Sequence, residues 1–265
     1  MEVNVCEEIS AVVSIGIDIG STSSKTAVLD EDRHIITRSV IPTGWSSTDT
    51  AALIKSQLEK LGHAPGENPV VATGYGRVAV PYADKTVTEI SCHAAGAYYL
   101  FHYPKMTVID IGGQDTKIIN IEDGILADFA MNDKCSAGTG RFLEVMANTL
   151  GLSPNELCTL AAEGGGTSIS SMCTVFAESE VISLIGKGEN KENIAFAVVD
   201  SIVRKVCTQA RRLIGSGKLC LTGGLCEVPT ILAALSRELK KEVESCPDAR
   251  YAGAIGAALA AAKLR

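Results

Sequence analysis

Val12-Val13-Ser14-Ile15-Gly16-Ile17-Asp18-Ile19-Gly20-Ser21-Thr22-Ser23-Ser24-Lys25-Thr26-Ala27-Val28-Leu29-Asp30 is the stretch on which the fold turns. Residues 12–18 are an apolar run rich in β-branched side chains, a turn of glycine and small hydroxyl residues follows, and residues 25–30 resume as a second strand. The spacing predicts a hairpin with a phosphate-sized tip. Backbone N–H groups and the hydroxyls at Gly20, Ser21, Thr22 and Ser24 can converge on phosphate oxygens there without a bulky side chain in the way, and Lys25 adds a mobile positive charge.

The pattern recurs. Residues 106–110 form another short apolar strand ending in aspartate, followed by Gly112-Gly113-Gln114-Asp115-Thr116 and a strand at 117–121, as expected of a diverged internal duplication. One Asp-x-Gly turn is more often an ordinary turn than a phosphate site. Two at matching positions, with Thr222-Gly223-Gly224 after a third strand at 218–222, favour a nucleotide gripped between opposed tips. Asp18 and Asp110 stand at the strand ends, where a carboxylate can hold Mg2+ directly or through water. The chain has no Gly-x-x-x-x-Gly-Lys-Ser/Thr loop and no Gly-x-Gly-x-x-Gly after a strand, which argues against a P-loop NTPase and a Rossmann dehydrogenase.

Between the copies, residues 50–61 read as an amphipathic helix, 69–73 as a strand and 88–101 as a helix. After the second copy, helices are predicted at 140–150, 175–185 and 194–213. In the final helix, 252–264, Gly253, Gly256, Ala257 and Ala260 share a face that a neighbouring backbone can approach. Strand-strand-helix alternation predicts an α/β protein with two layers facing each other across a cleft.

Composition bounds the function. A chain of 265 residues, 46% hydrophobic, can bury one large core or two modest ones. Acidic residues outnumber basic ones by 31 to 24 with no long basic run, so no nucleic-acid partner is expected. The apolar stretch 9–19 is interrupted by Ser10, Ser14 and Asp18 and is too short to span a bilayer, so no membrane or export segment is expected. Nine cysteines, odd in number and scattered, point to a reducing cytoplasm rather than a disulfide scaffold.

Two of those cysteines stand apart. Asn132-Asp133-Lys134-Cys135-Ser136-Ala137-Gly138-Thr139-Gly140-Arg141 and Ser170-Ser171-Met172-Cys173-Thr174-Val175-Phe176-Ala177-Glu178-Ser179-Glu180 each place a thiol in a polar, small-residue loop ahead of a helix. Free backbone N–H groups and the positive end of the dipole there favour a thiolate able to bind metal. Two thiols are half of a four-thiolate site, which a second copy of the chain would complete across a two-fold axis. With no Cys-x-x-Cys, a single-chain ferredoxin or zinc ribbon is excluded. Cys6, Cys92, Cys158, Cys207, Cys220 and Cys246 read as small buried apolar residues, His93 as a packed or hydrogen-bonded helix residue and His102 as a surface one.

These two segments, together with Thr73-Gly74-Tyr75-Gly76-Arg77, Ser91-Cys92-His93-Ala94, Asp110-Ile111-Gly112-Gly113-Gln114-Asp115 and Thr222-Gly223-Gly224, resemble in order the ATP-dependent activators of 2-hydroxyacyl-CoA dehydratases. That group also includes the ATPase components of benzoyl-CoA reductase. Met172 and Cys226 depart from its pattern. The resemblance implies two ribonuclease-H-like domains of the acetate and sugar kinase, heat-shock cognate and actin superfamily. The first would span 12–103, completed by the helix 252–265 near the hinge, and the second 104–251.

It further implies a homodimer bridged by one 4Fe-4S cluster on Cys135 and Cys173, with ATP or ADP and Mg2+ in the cleft. Gln114, Asp110 and Asp18 would serve hydrolysis, with Gln114 placing the attacking water. Gly20, Ser21, Thr22, Ser24, Lys25, Gly112, Gly113, Asp115, Gly223 and Gly224 would hold the nucleotide. The acceptor would be a 2-hydroxyacyl-CoA dehydratase or related iron-sulfur reductase, with ferredoxin or flavodoxin as donor. A small-molecule kinase of the same superfamily, with Asp110 or Asp115 as base, is the second reading and leaves both cysteine loops unexplained; a nucleotide-dependent binding protein is a third.

Overall fold

The computed structural model describes residues 13–171 and 173–264. Cys6, Ser10, Val12 and Met172, each named above, and the ends of the ranges 9–19 and 252–265 lie outside the described residues. The predicted hairpin is present as β1 (Ser14–Ile19) and β2 (Ser23–Leu29), followed by β3 (Ile35–Pro42), α1 (Ser47–Lys60), β4 (Val70–Thr73), β5 (Lys85–Thr86) and α2 (Glu89–Phe101). The second copy runs β6 (Lys105–Ile111), β7 (Thr116–Glu122), β8 (Ile125–Asn132), α3 (Gly140–Thr149), α4 (Pro154–Ala161), α5 (Thr174–Gly186) and α6 (Lys191–Ala210). It continues with β9 (Lys218–Gly223), α7 (Pro229–Leu239) and β10 (Val243–Glu244), and α8 (Ala252–Ala261) closes the chain before a short 3-10 turn.

The sheets have the orders β3-β2-β1-β4-β5 and β10-β9-β6-β7-β8, so one read backwards matches the other strand for strand. In each, the first three strands are antiparallel and the remaining pairs parallel. The correspondence reaches single residues. Asp18 pairs with Lys25 and lies beside Thr73; Asp110 pairs with Lys117 and lies beside Thr222.

Alternation along each strand assigns the faces. Ile15, Ile17 and Ile19 pack under α1 with Ile54 and Leu58, and each fully buried isoleucine contributes on the order of 2–3 kcal/mol. Gly16 faces the other way, against α8, where an added Cβ would lie 1.9 Å from Ala254 O. In the second sheet, Ile109, Ile111 and Ile118 lie under α3 to α7, while Met106 and Val108 face Ala94 and Ala97 of α2. Hence α8 and α2 are sandwiched between the sheets. Asp18 and Asp110, in register with Gly16 and Val108, point into the same gap.

Besides the two-residue strands β5 and β10, four elements were not predicted: β3, β8, α4 and α7. The two strands are amphipathic and partly exposed edge-side elements without an apolar run. The helices did carry signals: Ser153-Pro154-Asn155-Glu156 is a complete capping box with proline at the first helical position, and Pro229 opens α7.

Candidate functional site

The two hairpin tips meet in the cleft. An added Cβ on Gly113 would lie 2.1 Å from Thr22 Oγ1, so only glycine permits this approach. The first tip is braced from β3: Thr43 N donates to Thr22 O at 3.0 Å and Thr43 Oγ1 to Gly20 O at 2.7 Å. Ser24 belongs to this brace. It is buried and its Oγ lies 2.8 Å from Thr43 Oγ1, while Ser23 and Lys25, on the opposite face of β2, line the cleft.

The second tip is held from the other side. Gly140 N and Arg141 N, the first amides of α3, donate to Gly112 O and Gly113 O at 3.0 and 2.8 Å. Gly223 lines the cleft with Asp18, Gly20, Ser21, Asp110 and Asp115. Gln114 and Gly224 are exposed and stand outside that lining.

The paired strand-end charges have diverged. Lys25 is half-buried and forms no ion pair among the described residues. Lys117, its counterpart, is buried and contacts Glu89 Oε1 and Asp115 Oδ1 at 2.8 Å each and Asp110 Oδ2 at 3.4 Å. Burial works against its charge, but Asp110, Glu89 and Asp115 outweigh that and keep it firmly protonated.

The aspartates are pushed in opposite directions. For Asp110, burial is outweighed by the charges of His93 and Lys117 and by the 2.7 Å bond from Thr222 Oγ1, so its carboxyl is held well below the usual range. Burial dominates at Asp18 and raises it against the pull of Lys25 and His93. Asp115 is likewise raised by burial despite Lys117. Asp18 Oδ1 and Asp115 Oδ2 are buried without a hydrogen-bond partner, which suits a carboxylate cradle awaiting a hydrated cation. Glu89, His93, Lys117, Tyr75 and Arg250 also line the cleft and were not assigned to it from the sequence. Only the repeat register, with Lys117 seven residues after Asp110 as Lys25 follows Asp18, signalled one of them.

The cysteine loops adjoin this site. Cys173 is exposed at the N-cap of α5, and Cys135 is half-buried in the loop ahead of α3. The hydroxyls that follow them, Ser136 Oγ and Thr174 Oγ1, are 2.7 Å apart and draw the loops together. Asn132 Nδ2 donates to Cys135 O at 2.8 Å, and Glu180 accepts from the backbone N–H groups of Ser170 and Ser171 at 3.1 Å. Cys92, Cys158, Cys207, Cys220 and Cys226 are buried and Cys246 is half-buried; burial pushes the Cys207 and Cys220 thiols up to about 12. His93 is packed in α2, and His102 ends that helix in a left-handed conformation. Among the described residues no group of three or more His, Cys, Asp or Glu could hold a metal ion. Nor is any described helix long and apolar enough to cross a membrane.

A model of the BadF/BadG/BcrA/BcrD ATPase family matches residues 15–261. The chain is 42% identical over 258 residues to the (R)-2-hydroxyglutaryl-CoA dehydratase activating ATPase of Acidaminococcus fermentans, covering 96% of this chain and 98% of that protein. The solved activator of the 2-hydroxyisocaproyl-CoA dehydratase from Clostridium difficile, with bound ADPNP, matches with a TM-score of 0.88 at 37% identity, covering 96% and 95% of the two chains. A ROK family glucokinase from Streptomyces griseus, 14% identical with a TM-score of 0.60 and covering 95% and 99%, is similar in fold alone. The α/β architecture is that of the acetate and sugar kinase, heat-shock cognate and actin superfamily.

Proposed function

Since this chain belongs to the BadF/BadG/BcrA/BcrD ATPase family, we propose that it hydrolyses ATP to activate a 2-hydroxyacyl-CoA dehydratase or related iron-sulfur reductase by delivering a low-potential electron. The observation that carries this reading is the hydrogen-bonded path from the second tip, through the first turn of α3, to the loops of Cys135 and Cys173. The kinase reading leaves both cysteine loops unexplained.

Gly20, Ser21, Thr22, Gly112, Gly113 and Gly223 approach the phosphates, Lys25 neutralises their charge, and Ser24 acts as a brace. A Mg2+ ion held by Asp18 and Asp110, directly or through water, would offset the charge on the transferred phosphoryl group. Asp115 fixes Lys117, Gln114 orients the attacking water, and Gly224 supports the turn by donating to Ile111 O at 3.0 Å. Cys135 and Cys173 from each of two copies fit a 4Fe-4S cluster, one per homodimer, which when bound supplies a one-electron carrier refilled by ferredoxin or flavodoxin. Exposed Val175, Phe176 and Ile182 on α5 offer apolar surface beside it. The domains are taken as 12–103 with 252–265, and 104–251, since α8 packs on β1, β2 and β4. We take the setting to be cytoplasmic, on the odd number and scatter of the nine cysteines.

Protein purified without oxygen should contain about two iron atoms and two sulfides per chain and hydrolyse Mg-ATP. A colourless, iron-free wild-type protein that phosphorylates a small molecule would install the kinase reading instead.

A further inference from the structure

Helix α2 stands between the sheets and carries two side chains that neither the phosphate tips nor the cysteine loops account for. Its backbone is pressed against α8: an added Cβ on Gly96 would lie 1.9 Å from Ala252 O, and one on Gly256 1.8 Å from Cys92 O. The two helices meet backbone to backbone at these glycines, which ties α2 to α8 and, through α8, to the first sheet. Yet its polar contacts reach the second sheet. Glu89 Oε1 meets Lys117 Nζ of β7 at 2.8 Å, and His93 Nδ1 lies 3.4 Å from Asp110 Oδ1 of β6.

The other edge of His93 faces the first sheet. An added Cβ on Gly253 would lie 2.9 Å from His93 Nε2 and 2.7 Å from Asp18 Oδ2, so both atoms stand over one bare Cα. The ring thus lies in the gap between the two strand-end aspartates, one from each sheet, with Glu89 Oε1 3.7 Å from its Nε2. Its side chain is 6% exposed and its Nδ1 has no partner within good hydrogen-bond geometry. A group so enclosed and so incompletely bonded is placed by its surroundings while leaving bonding capacity in hand.

We propose that His93 is a positioning residue for ATP hydrolysis, a spacer that fixes Asp18 relative to Asp110 when the cleft closes, with Glu89 anchoring the same helix to Lys117. The inference rests on the ATPase reading and deepens it. Two buried carboxylates repel each other, and only the second is tied, by Thr222 and Lys117. The ring sets how near Asp18 can come. The phosphate tips are built from Gly20 to Ser23 and Gly112 to Gly113, and His93 braces neither. Losing it should therefore impair turnover more than ATP binding.

His93→Ala is expected to lower kcat for ATP by roughly tenfold or more while KM changes less than about threefold. His93→Gln, with a polar atom toward Asp18, and His93→Asn, with one toward Asp110, should each recover part of the loss. Gly253→Ala, which drives a methyl group between Asp18 and an intact His93, should give the same split. The proposal fails if His93→Ala turns over normally, if kcat and ATP affinity fall together, or if neither polar replacement improves on alanine. If His93→Ala does not fold, Gly253→Ala with wild-type kcat overturns it. Lack of turnover in the wild-type protein overturns the ATPase reading and this proposal with it, whereas normal turnover in the variants overturns this proposal alone.

Discussion

At the scale of single residues, the duplicated strand ends show how identical sequence roles acquire different physics. Asp18 is raised by burial and Asp110 is lowered by its neighbours, so neutralising each should affect stability with opposite sign. A raised folded pKa means that the ionised carboxylate opposes folding once pH exceeds its unfolded value. Asp18→Asn should therefore raise Tm at neutral pH, by about 2–4 °C for each kcal/mol relieved. A lowered folded pKa means stability that is present above the unfolded value and lost as pH falls below it. Asp110→Asn should accordingly lower Tm. Both should reduce ATPase turnover by roughly tenfold or more with the visible absorbance of the cluster intact. Melting curves of the two variants from pH 4 to 8 test the signs; a shift in the same direction would refute the assignment.

The lysines diverge in the same way. Lys117→Ala strands Asp110, Asp115 and Glu89 without their cation and should destabilise by about 3–5 kcal/mol, read by urea unfolding. Lys25→Ala, at a half-buried position without an ion pair, should hardly change stability but weaken ATP binding.

At the scale of elements, α3 and α5 connect the second tip to the two cysteine loops. The first turn of α3 spends two otherwise unpaired amides on Gly112 O and Gly113 O, so in the proposed mechanism movement of the tip would displace the helix and, through Ser136 and Thr174, both cysteine loops. Glu180 reaches back from α5 to the amides of Ser170 and Ser171 and fixes the approach to Cys173. Glu180→Ala should release iron to a chelator several times faster than wild type while ATP affinity is unchanged, since Glu180 lies outside the cleft lining. Equal rates of iron loss would show that the clamp is irrelevant to the thiol site.

At the scale of the molecule, the proposed cluster takes two thiols from each chain and a cubane needs four, so on that proposal assembly and cofactor content would be tied. Chelation or air should shift the dimer toward monomer, measured by light scattering. Cys135→Ser and Cys173→Ser should each abolish the broad visible absorbance and electron transfer while retaining ATP binding. A dimer that survives complete removal of iron would place its principal interface elsewhere.

What was legible in the sequence by itself was whatever depends on neighbours in the chain: the hairpins with their glycine tips, the aspartates at the strand ends, the cysteine loops and the duplication. A turn needs its own residues, and a strand end its own periodicity. The resemblance carried by those motifs extended them to a family, and the family match bears it out. Only the tertiary structure decided which charges became buried. Glu89, His93, Lys117 and Arg250 meet in the cleft from α2, β7 and the segment before α8. Nothing local distinguishes Lys117 from an exposed strand lysine; its burial follows from α2 lying across the second sheet and bringing Glu89 to it. Ser24 teaches the converse, since strand alternation turned it away from the cleft lining and onto Thr43. Local sequence fixes backbone shape, whereas the charge state and direction of a side chain depend on what distant segments bring to it, through desolvation and Coulomb forces that act in space rather than along the chain.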